Sequence, residues 1–446
     1  MTFLQFPAGV EWGAATASYQ IEGAIGEDDR GVSIWDTFCH QPGRVQDGDT
    51  GDIACDHYHR YKEDVALMAH LGLQTYRFSV SWSRIFPHGQ GAVSEKGLAF
   101  YDQLIDELLA QGIKPALTLY HWDLPQSLQD RGGWANRDTA EHFAAYADLL
   151  YKRYGDRVSR WITLNEPWVF TMMGHRMGVM APGIRDLGIT AKAVHHALLA
   201  HGKAVQAFRA SGRSGEIGIT NSNTNYEPAD PSPETAAAVE LARDHDSRLF
   251  HGPVFGKGYP ASVLKYYAER GAHFPILAGD MATIAEATDF LGLNIYSRQL
   301  IEADPERGVG FRFARPTLPL LPMGYEAAPH VLGAFVRWVT NEYGPRPIYI
   351  TENGVCDNTM PVNGVIQDGT RIDLLRGFLG GLHGAIQDGC DVRAYYQWSL
   401  MDNFEWAFGF SKRFGMIYTD FATQERIPKA SAAFYSETIR LNGIDA

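Results

Sequence analysis

The sequence predicts a (β/α)8 TIM barrel, a single domain over residues 1–446 with long βα loops. Three observations predict it: eight short apolar or β-branched runs, helical-period segments between them, and polar or aromatic residues where the runs end. The runs are "VEWGAATAS" (10–18), "QTYRFSVSW" (74–82), "KPALTLYHW" (114–122), "RWITLNE" (160–166), "GEIGITNSN" (215–223), "DFLGLNIY" (289–296), "RPIYITENG" (346–354) and "VRAYYQWSL" (392–400). Strand, helix, strand in regular alternation is the pattern of repeated βαβ units.

The intervening helices have recognisable faces and ends. In "GLAFYDQLIDELLAQG" the positions Leu98, Tyr101, Leu104, Ile105, Leu108 and Leu109 form one face, and Gly112 is the stop. In "NRDTAEHFAAYADLLYKRYG" a cap at Asn136 or Asp138 leads into Phe143, Ala147, Leu150, Tyr151 and Tyr154, and Gly155 ends the helix. A doubly wound open sheet is the structural competitor, but "GAATASYQIEGAIG" contains no G-x-G-x-x-G phosphate turn. The Pro-rich stretches 225–234 and 303–329 read as long connections within the barrel, of a length that usually carries function.

Composition narrows the function classes. A hydrophobic fraction of 45% and a charged fraction of 20% are those of a soluble globular protein. With 39 Lys plus Arg against 52 Asp plus Glu, a net charge of −13 and no basic cluster, nucleic acid is excluded as an expected partner. That charge keeps the surface solvated and disfavours anions. Cys39, Cys55, Cys356 and Cys390 are scattered, without zinc spacing or a disulfide framework, which fits a reduced, cytoplasmic setting. No basic start precedes an apolar leader and no apolar run could span a bilayer, so neither export nor a membrane partner is expected. Nothing in the sequence speaks to oligomeric state.

Chemistry in a barrel gathers at the C-terminal ends of the strands. Those ends carry Gln20 and Glu22, Arg77, His121 and Trp122, Asn165 and Glu166, Asn221 and Asn223, Asn294 and Tyr296, Glu352 and Asn353, and Trp398. Amides, carboxylates and a histidine suit the bidentate recognition of sugar hydroxyls, and aromatic rings suit the C–H face of a pyranose. Glu166 and Glu352 end the fourth and seventh strands and can face one another across one mouth, the pair that glycosidic cleavage requires.

"TLNEP" (163–167), "TENG" (351–354) and "WGAATASYQIEGA" (12–24) resemble the signatures of family 1 glycoside hydrolases, the β-glucosidases and their relatives. The resemblance extends through "SIWDTF" (33–38), "CDHYHRY" (55–61), "YRFSVSWSRIFP" (76–87), "TLYHWDLPQSLQD" (118–130) and "SLMDNFEWAFGFSKRFG" (399–415). It implies a retaining double displacement with Glu166 as acid/base and Glu352 as nucleophile, the carboxyls about 5 to 5.5 Å apart. It also implies Asn165 at the sugar 2-hydroxyl, Arg77 and Tyr296 against the nucleophile, and Gln20, His121, Glu405 and Trp406 on the hydroxyls of the non-reducing sugar. Trp398 is the implied floor beneath that sugar. Trp122, Asn223, Asn294 and Phe414 join the expected substrate-binding set.

The same resemblance bears on specificity. Glu405 followed by Trp406 is similar to the plain glycosidases, whereas the 6-phospho-β-glucosidase alternative carries Ser in place of that Glu, and Phe414 stands where its Tyr would be. A carboxylate at Glu405 repels a 6-phosphate. The expected substrates are terminal β-glucosyl residues of cellobiose-like oligosaccharides and aryl or alkyl β-glucosides, with β-galactosides and β-fucosides accepted, cellulose breakdown as the setting and transglycosylation as a side reaction. On the aglycone side Trp168, Tyr325 and His175 are expected, the last two standing where relatives carry Trp and Tyr. A non-catalytic sugar-binding relative would lack one of the two glutamates, and both are present. His57, His59, His195, His196 and His201 read as packing or hydrogen-bonding residues, Trp134, Trp161 and Trp338 as core, and neither metal nor cofactor is expected.

Overall fold

The computed structural model describes residues 2–445. Eight strands, β1 Glu11–Ala15, β2 Thr75–Ser79, β3 Lys114–Tyr120, β4 Arg160–Asn165, β5 Glu216–Pro228, β6 Phe290–Asp304, β7 Ile348–Asn353 and β8 Val392–Trp398, pair in parallel. Each neighbours the next, and β8 returns to β1, closing the (β/α)8 barrel. Around it lie α1 His57–His70, α2 Glu95–Ala110, α3 Asp138–Tyr154, α4 Leu187–Ala210, α5 Ser247–Val254, α6 Val331–Tyr343, α7 Gly369–Gln387 and α8 Ala430–Leu441. The termini meet where Phe3–Gln5 pairs antiparallel with Gly443–Asp445. Among the described residues no helix is long and apolar enough to cross a membrane.

Local sequence explains two of the helix starts. Ser94 caps α2 by accepting from the Gly97 amide, and Asp186 caps α4 by accepting from Ile189. Asn136 Oδ1 accepts from the Asp138 amide at 3.0 Å, a turn leading into α3, but Arg137 occupies the N-cap, so neither expected residue caps this helix. Leu109, assigned by periodicity to the buried face of α2, is 40% exposed, because it sits one residue beyond the stripe that ends at Leu108. The stretches 225–234 and 303–329 are not wholly loop. β5 runs to Pro228 and β6 to Asp304, and a short strand, Gly310–Phe313, folds back on β6. This ribbon rises above the barrel beside the mouth.

Inside the barrel, side chains fill the space in layers. Gly13 on β1 is glycine because a Cβ there would lie 2.5 Å from the Thr75 carbonyl and 2.8 Å from the Tyr396 ring. At the floor Arg160 donates to Glu11 at 2.9 Å, to the Tyr396 hydroxyl at 2.7 Å and to the Tyr349 hydroxyl at 3.3 Å, linking β4 to β1, β8 and β7. Arg160→Ala leaves Glu11 half-buried with only Lys114 as a partner. It is expected to lower unfolding stability by roughly 3 kcal/mol, read from the urea midpoint, while kcat at the far end of the barrel is retained.

Candidate active site

The C-terminal ends of the strands bring together most of the residues singled out by sequence. Arg77, on β2 and 1% exposed, is the connecting group. Its Nη1 donates to Glu352 Oε1 at 2.6 Å and to the Thr351 carbonyl at 3.0 Å, its Nη2 to Asn165 Oδ1 at 2.5 Å, and its Nε to Thr118 Oγ1 at 3.1 Å. The second oxygen of Glu352 accepts from the Tyr296 hydroxyl at 2.7 Å. Asn294 Nδ2 reaches Glu166 Oε1 at 2.9 Å and Asn165 Oδ1 at 3.1 Å, while its own Oδ1 accepts from Thr351 at 2.7 Å.

The two carboxyls therefore have unequal surroundings. Burial raises both pKa values. At Glu352 the Arg77 charge and the bonds from Tyr296 and Arg77 oppose that rise. At Glu166 burial is reinforced by the charge of Glu352, against which Asn294 and Arg77 act only in part, and the pKa is pushed up to about 8. The proton shared by such a pair belongs on Glu166.

A second group lies beside the carboxyls. His121, buried with a pKa pushed well below its usual value by desolvation and then by Arg77, is neutral. Its Nε2 accepts from Asn165 Nδ2 at 3.0 Å, so its N–H is on Nδ1, which has no partner among the described residues. Gln20, on a short helix after β1, donates through Nε2 to Asn403 Oδ1 at 3.0 Å and to the Phe404 carbonyl at 2.7 Å, leaving Oε1 unpartnered. Glu405, 3.5 Å from Gln20 Nε2, is also held protonated by burial, at about 8. The His121 ring lies nearly parallel to Trp398 and Trp406, with centroids 5.8 Å away in each case. One free donor, one free acceptor and a tryptophan floor are what a sugar with several hydroxyls needs.

Several site residues occupy strained backbone. Trp122, Glu166 and Trp406 have φ of 82°, 50° and 52°, a left-handed region that bulky residues rarely adopt. The Trp122 N–H donates to the Asn165 carbonyl at 2.9 Å, so this ring orients Asn165 and has no hydrogen left for a ligand.

Other expected members of the mouth face elsewhere. Glu22 is bound by Arg84 and the Tyr101 hydroxyl, and Asn353 by the Ile295 carbonyl and Tyr395. Asn221 and Asn223 both turn to His251, with Asn223 Oδ1 accepting from His251 Nε2 at 2.8 Å. Asn223 thus stands one step back from the carboxyls. On the outer side Phe414 packs edge-on to Tyr296 at 5.9 Å and the half-buried Tyr325 lies 6.1 Å from Tyr296. Trp168 is half-buried at the start of a wide helical turn, Val169–Arg176. His175 on that turn is 1% exposed and bonded through Nδ1 to the Phe170 carbonyl, packed into the turn itself.

Residues the sequence did not single out hold this assembly. Thr118 and Thr351 orient Arg77, and Asn403 orients Gln20. Asp402, fully buried, accepts from Lys429, Arg413 and the Gly415 amide, each between 2.8 and 2.9 Å, and so anchors the loop that carries Glu405 and Trp406. Thr351, Asp402 and Asn403 all lie inside motifs visible in the sequence, but as neighbours of the conspicuous residue. Three of the histidines outside the mouth are bonded to protein groups: His57 to Asp64, His195 to Asp280 and His201 to Thr163.

A (β/α)8 barrel with an unequal pair of buried carboxyls beside an amide- and tryptophan-lined pocket defines the glycoside hydrolase class. The Glycosyl hydrolase family 1 model matches residues 3–444, and the chain belongs to that family. It is 47% identical to Beta-glucosidase A of Thermotoga maritima over 100% of both chains. It is 45% identical to Beta-glucosidase A of Acetivibrio thermocellus over 99% of this chain and 100% of that one. The solved Thermotoga maritima family 1 glycoside hydrolase complexed with a cyclophellitol analogue transition state mimic superposes with a TM-score of 0.96 at 46% identity, covering 100% of each chain.

Glu166 binds its proton more tightly in the folded than in the unfolded chain, so its burial costs stability as pH rises from the usual carboxylate range toward about 8. Glu166→Gln is expected to raise the unfolding midpoint at pH 7, with the gain vanishing near pH 4. In Glu352→Gln, loss of the neighbouring charge is expected to lower the Glu166 pKa, read by carbon-13 carboxyl titration.

Proposed function

We propose that this chain is a retaining β-glucosidase that removes terminal non-reducing β-D-glucosyl residues from short oligosaccharides and from aryl or alkyl β-glucosides. The observation that carries this reading is the asymmetry of the carboxyl pair. Arg77 and Tyr296 hold the two oxygens of Glu352, while Glu166 has a single side-chain partner, Asn294, and a pKa near 8. Glu352 is the nucleophile: its carboxylate attacks the anomeric carbon as the bond to the leaving oxygen breaks, and the Glu166 proton passes to that oxygen. Once Glu352 is esterified its charge is gone, one cause of the raised Glu166 pKa disappears, and Glu166 takes the proton of the incoming water. A sugar hydroxyl in place of water gives transglycosylation.

Gln20, His121, Asn165, Glu405 and Trp406 receive the glycone, with Trp398 beneath it. Glu405 favours an unphosphorylated sugar, since even a partly charged carboxyl at that position repels a 6-phosphate. Tyr325 and Trp168 border the leaving group. A catalytic barrel of this kind, acting on cellobiose released from cellulose within a reduced cytoplasm, fits the four free and buried cysteines.

A substrate panel tests the assignment. Release of glucose from cellobiose and of 4-nitrophenol from the β-glucoside is expected, with the β-galactoside also accepted and the β-glucoside 6-phosphate refused. No release from any of them sinks the hydrolase reading, and preference for the phosphate overturns the Glu405 argument. kcat/KM should decline above pH 8 as Glu166 loses its proton. Glu352→Ala is expected to abolish turnover, with azide restoring it as the α-glucosyl azide. Glu166→Ala should lose about 10²–10⁴-fold and give the β-azide on rescue. Swapped stereochemistry exchanges the two roles.

A further inference from the structure

Beside the mouth is a cavity of about 250 Å³ that the carboxyls and glycone ligands do not use. One wall is the turn after β4, contributing Trp168, Met172, Arg176 and Met177, and the other comes from the ribbon above β5 and β6, with Phe311 and Phe313. Trp168, two residues beyond Glu166, is part of its lining, so the cavity adjoins the strand end that carries that carboxyl. Its surface is mostly apolar and aromatic, suited to a flat ring.

Its charges are unevenly paired. Arg307 and Arg312 also line it, and they pair with Asp304 and Glu302. Arg176 is half-buried, and its guanidinium donates to the Tyr266 hydroxyl at 2.9 Å and also reaches the Tyr267 hydroxyl, but among the described residues it has no carboxylate partner. A half-desolvated guanidinium with unused N–H groups is an anion receptor, and the planar fork matches a carboxylate. The neighbouring groups do not compensate it. Burial, and then Arg176 itself, lowers His245 to about 4, leaving it neutral. Asp246 is buried in the same lining, with Oδ2 unpartnered among the described residues, and burial raises it to about 7 against hydrogen bonds from Tyr226 and Thr224, so it is only partly ionised at neutral pH. In a chain of net charge −13, this is a locally cationic, largely apolar cavity.

We infer that this cavity is an aglycone subsite for leaving groups that carry a carboxylate, with Arg176 as the partner of that carboxylate and Trp168, Phe311 and Phe313 as the walls for the ring. The inference rests on the β-glucosidase reading and names a substrate class within it. An aryl acid and a sugar acid both present the required group. The anion is recognised on the leaving-group side, away from Glu405 on the glycone side.

The test compares kcat/KM for the β-glucoside of 4-hydroxycinnamate with that of its methyl ester, and for cellobionate with cellobiitol. Wild-type protein is expected to prefer the acid of at least one pair by about tenfold, the worth of one charge-assisted hydrogen bond. The pair that responds identifies an aryl or a sugar acid. Arg176→Gln should bring that ratio close to one and Arg176→Lys should retain part of it. In wild-type protein, added sodium chloride should raise KM for the acid and not for its neutral counterpart, a readout independent of whether the variants fold. Equal rates for acid and neutral substrate in both pairs, or an acid preference that survives Arg176→Gln, overturns the subsite. Absence of 4-nitrophenol release from the simple glucoside overturns instead the glucosidase reading on which it stands.

Discussion

The site is organised by one buried cation. Arg77 lies inside the barrel with almost no solvent contact, and an unpaired guanidinium there would be prohibitively expensive. Its partners come from three other strands: Thr118 on β3, Asn165 on β4, and both Thr351 and Glu352 on β7, with Arg77 itself on β2. The cation stabilises negative charge on Glu352, and the proximity of Glu166 then makes a second negative charge costly. A charge needed to satisfy the barrel interior thereby decides which carboxyl keeps the proton.

Around this centre, rigidity is obtained from groups that have no chemical step of their own. The Trp122 indole holds the Asn165 backbone, Asn403 orients the Gln20 amide, and Asp402 with Lys429 and Arg413 holds the loop bearing Glu405 and Trp406. The positive φ values at Trp122, Glu166 and Trp406 are tolerated because these contacts over-determine the backbone. Amides turned by such contacts leave chosen atoms empty, Gln20 Oε1 and His121 Nδ1 among them, for a ligand to fill.

The barrel was legible because its period is carried by every unit: each run of apolar residues ended where polar side chains began, and all eight became strands. Strand ends were less legible. β5 and β6 continue past their apolar runs because they pair with each other through Pro228 and Ile301, a partnership that no local pattern announces. At the mouth, sequence position told which residues stand at a strand's C-terminal end but not which way each turns. Glu22 and Asn353 have the same composition cues as Gln20 and Glu352, yet Arg84, Tyr101 and Tyr395 draw them away from the pocket.

By itself the sequence determined the alternation of strands and helices, the family motifs and the two glutamates, since these depend on residue type and order along the chain. Only the tertiary structure decided that Arg77 ties Glu352 to Asn165, that burial and the Glu352 charge raise the Glu166 pKa, and that among the described residues Arg176 has no carboxylate partner. Those properties depend on burial and on partners more than 80 residues away in the chain, such as Asn165 for Arg77 at a separation of 88. Electrostatic environment is a sum over such neighbours, and it exists only once the barrel has closed.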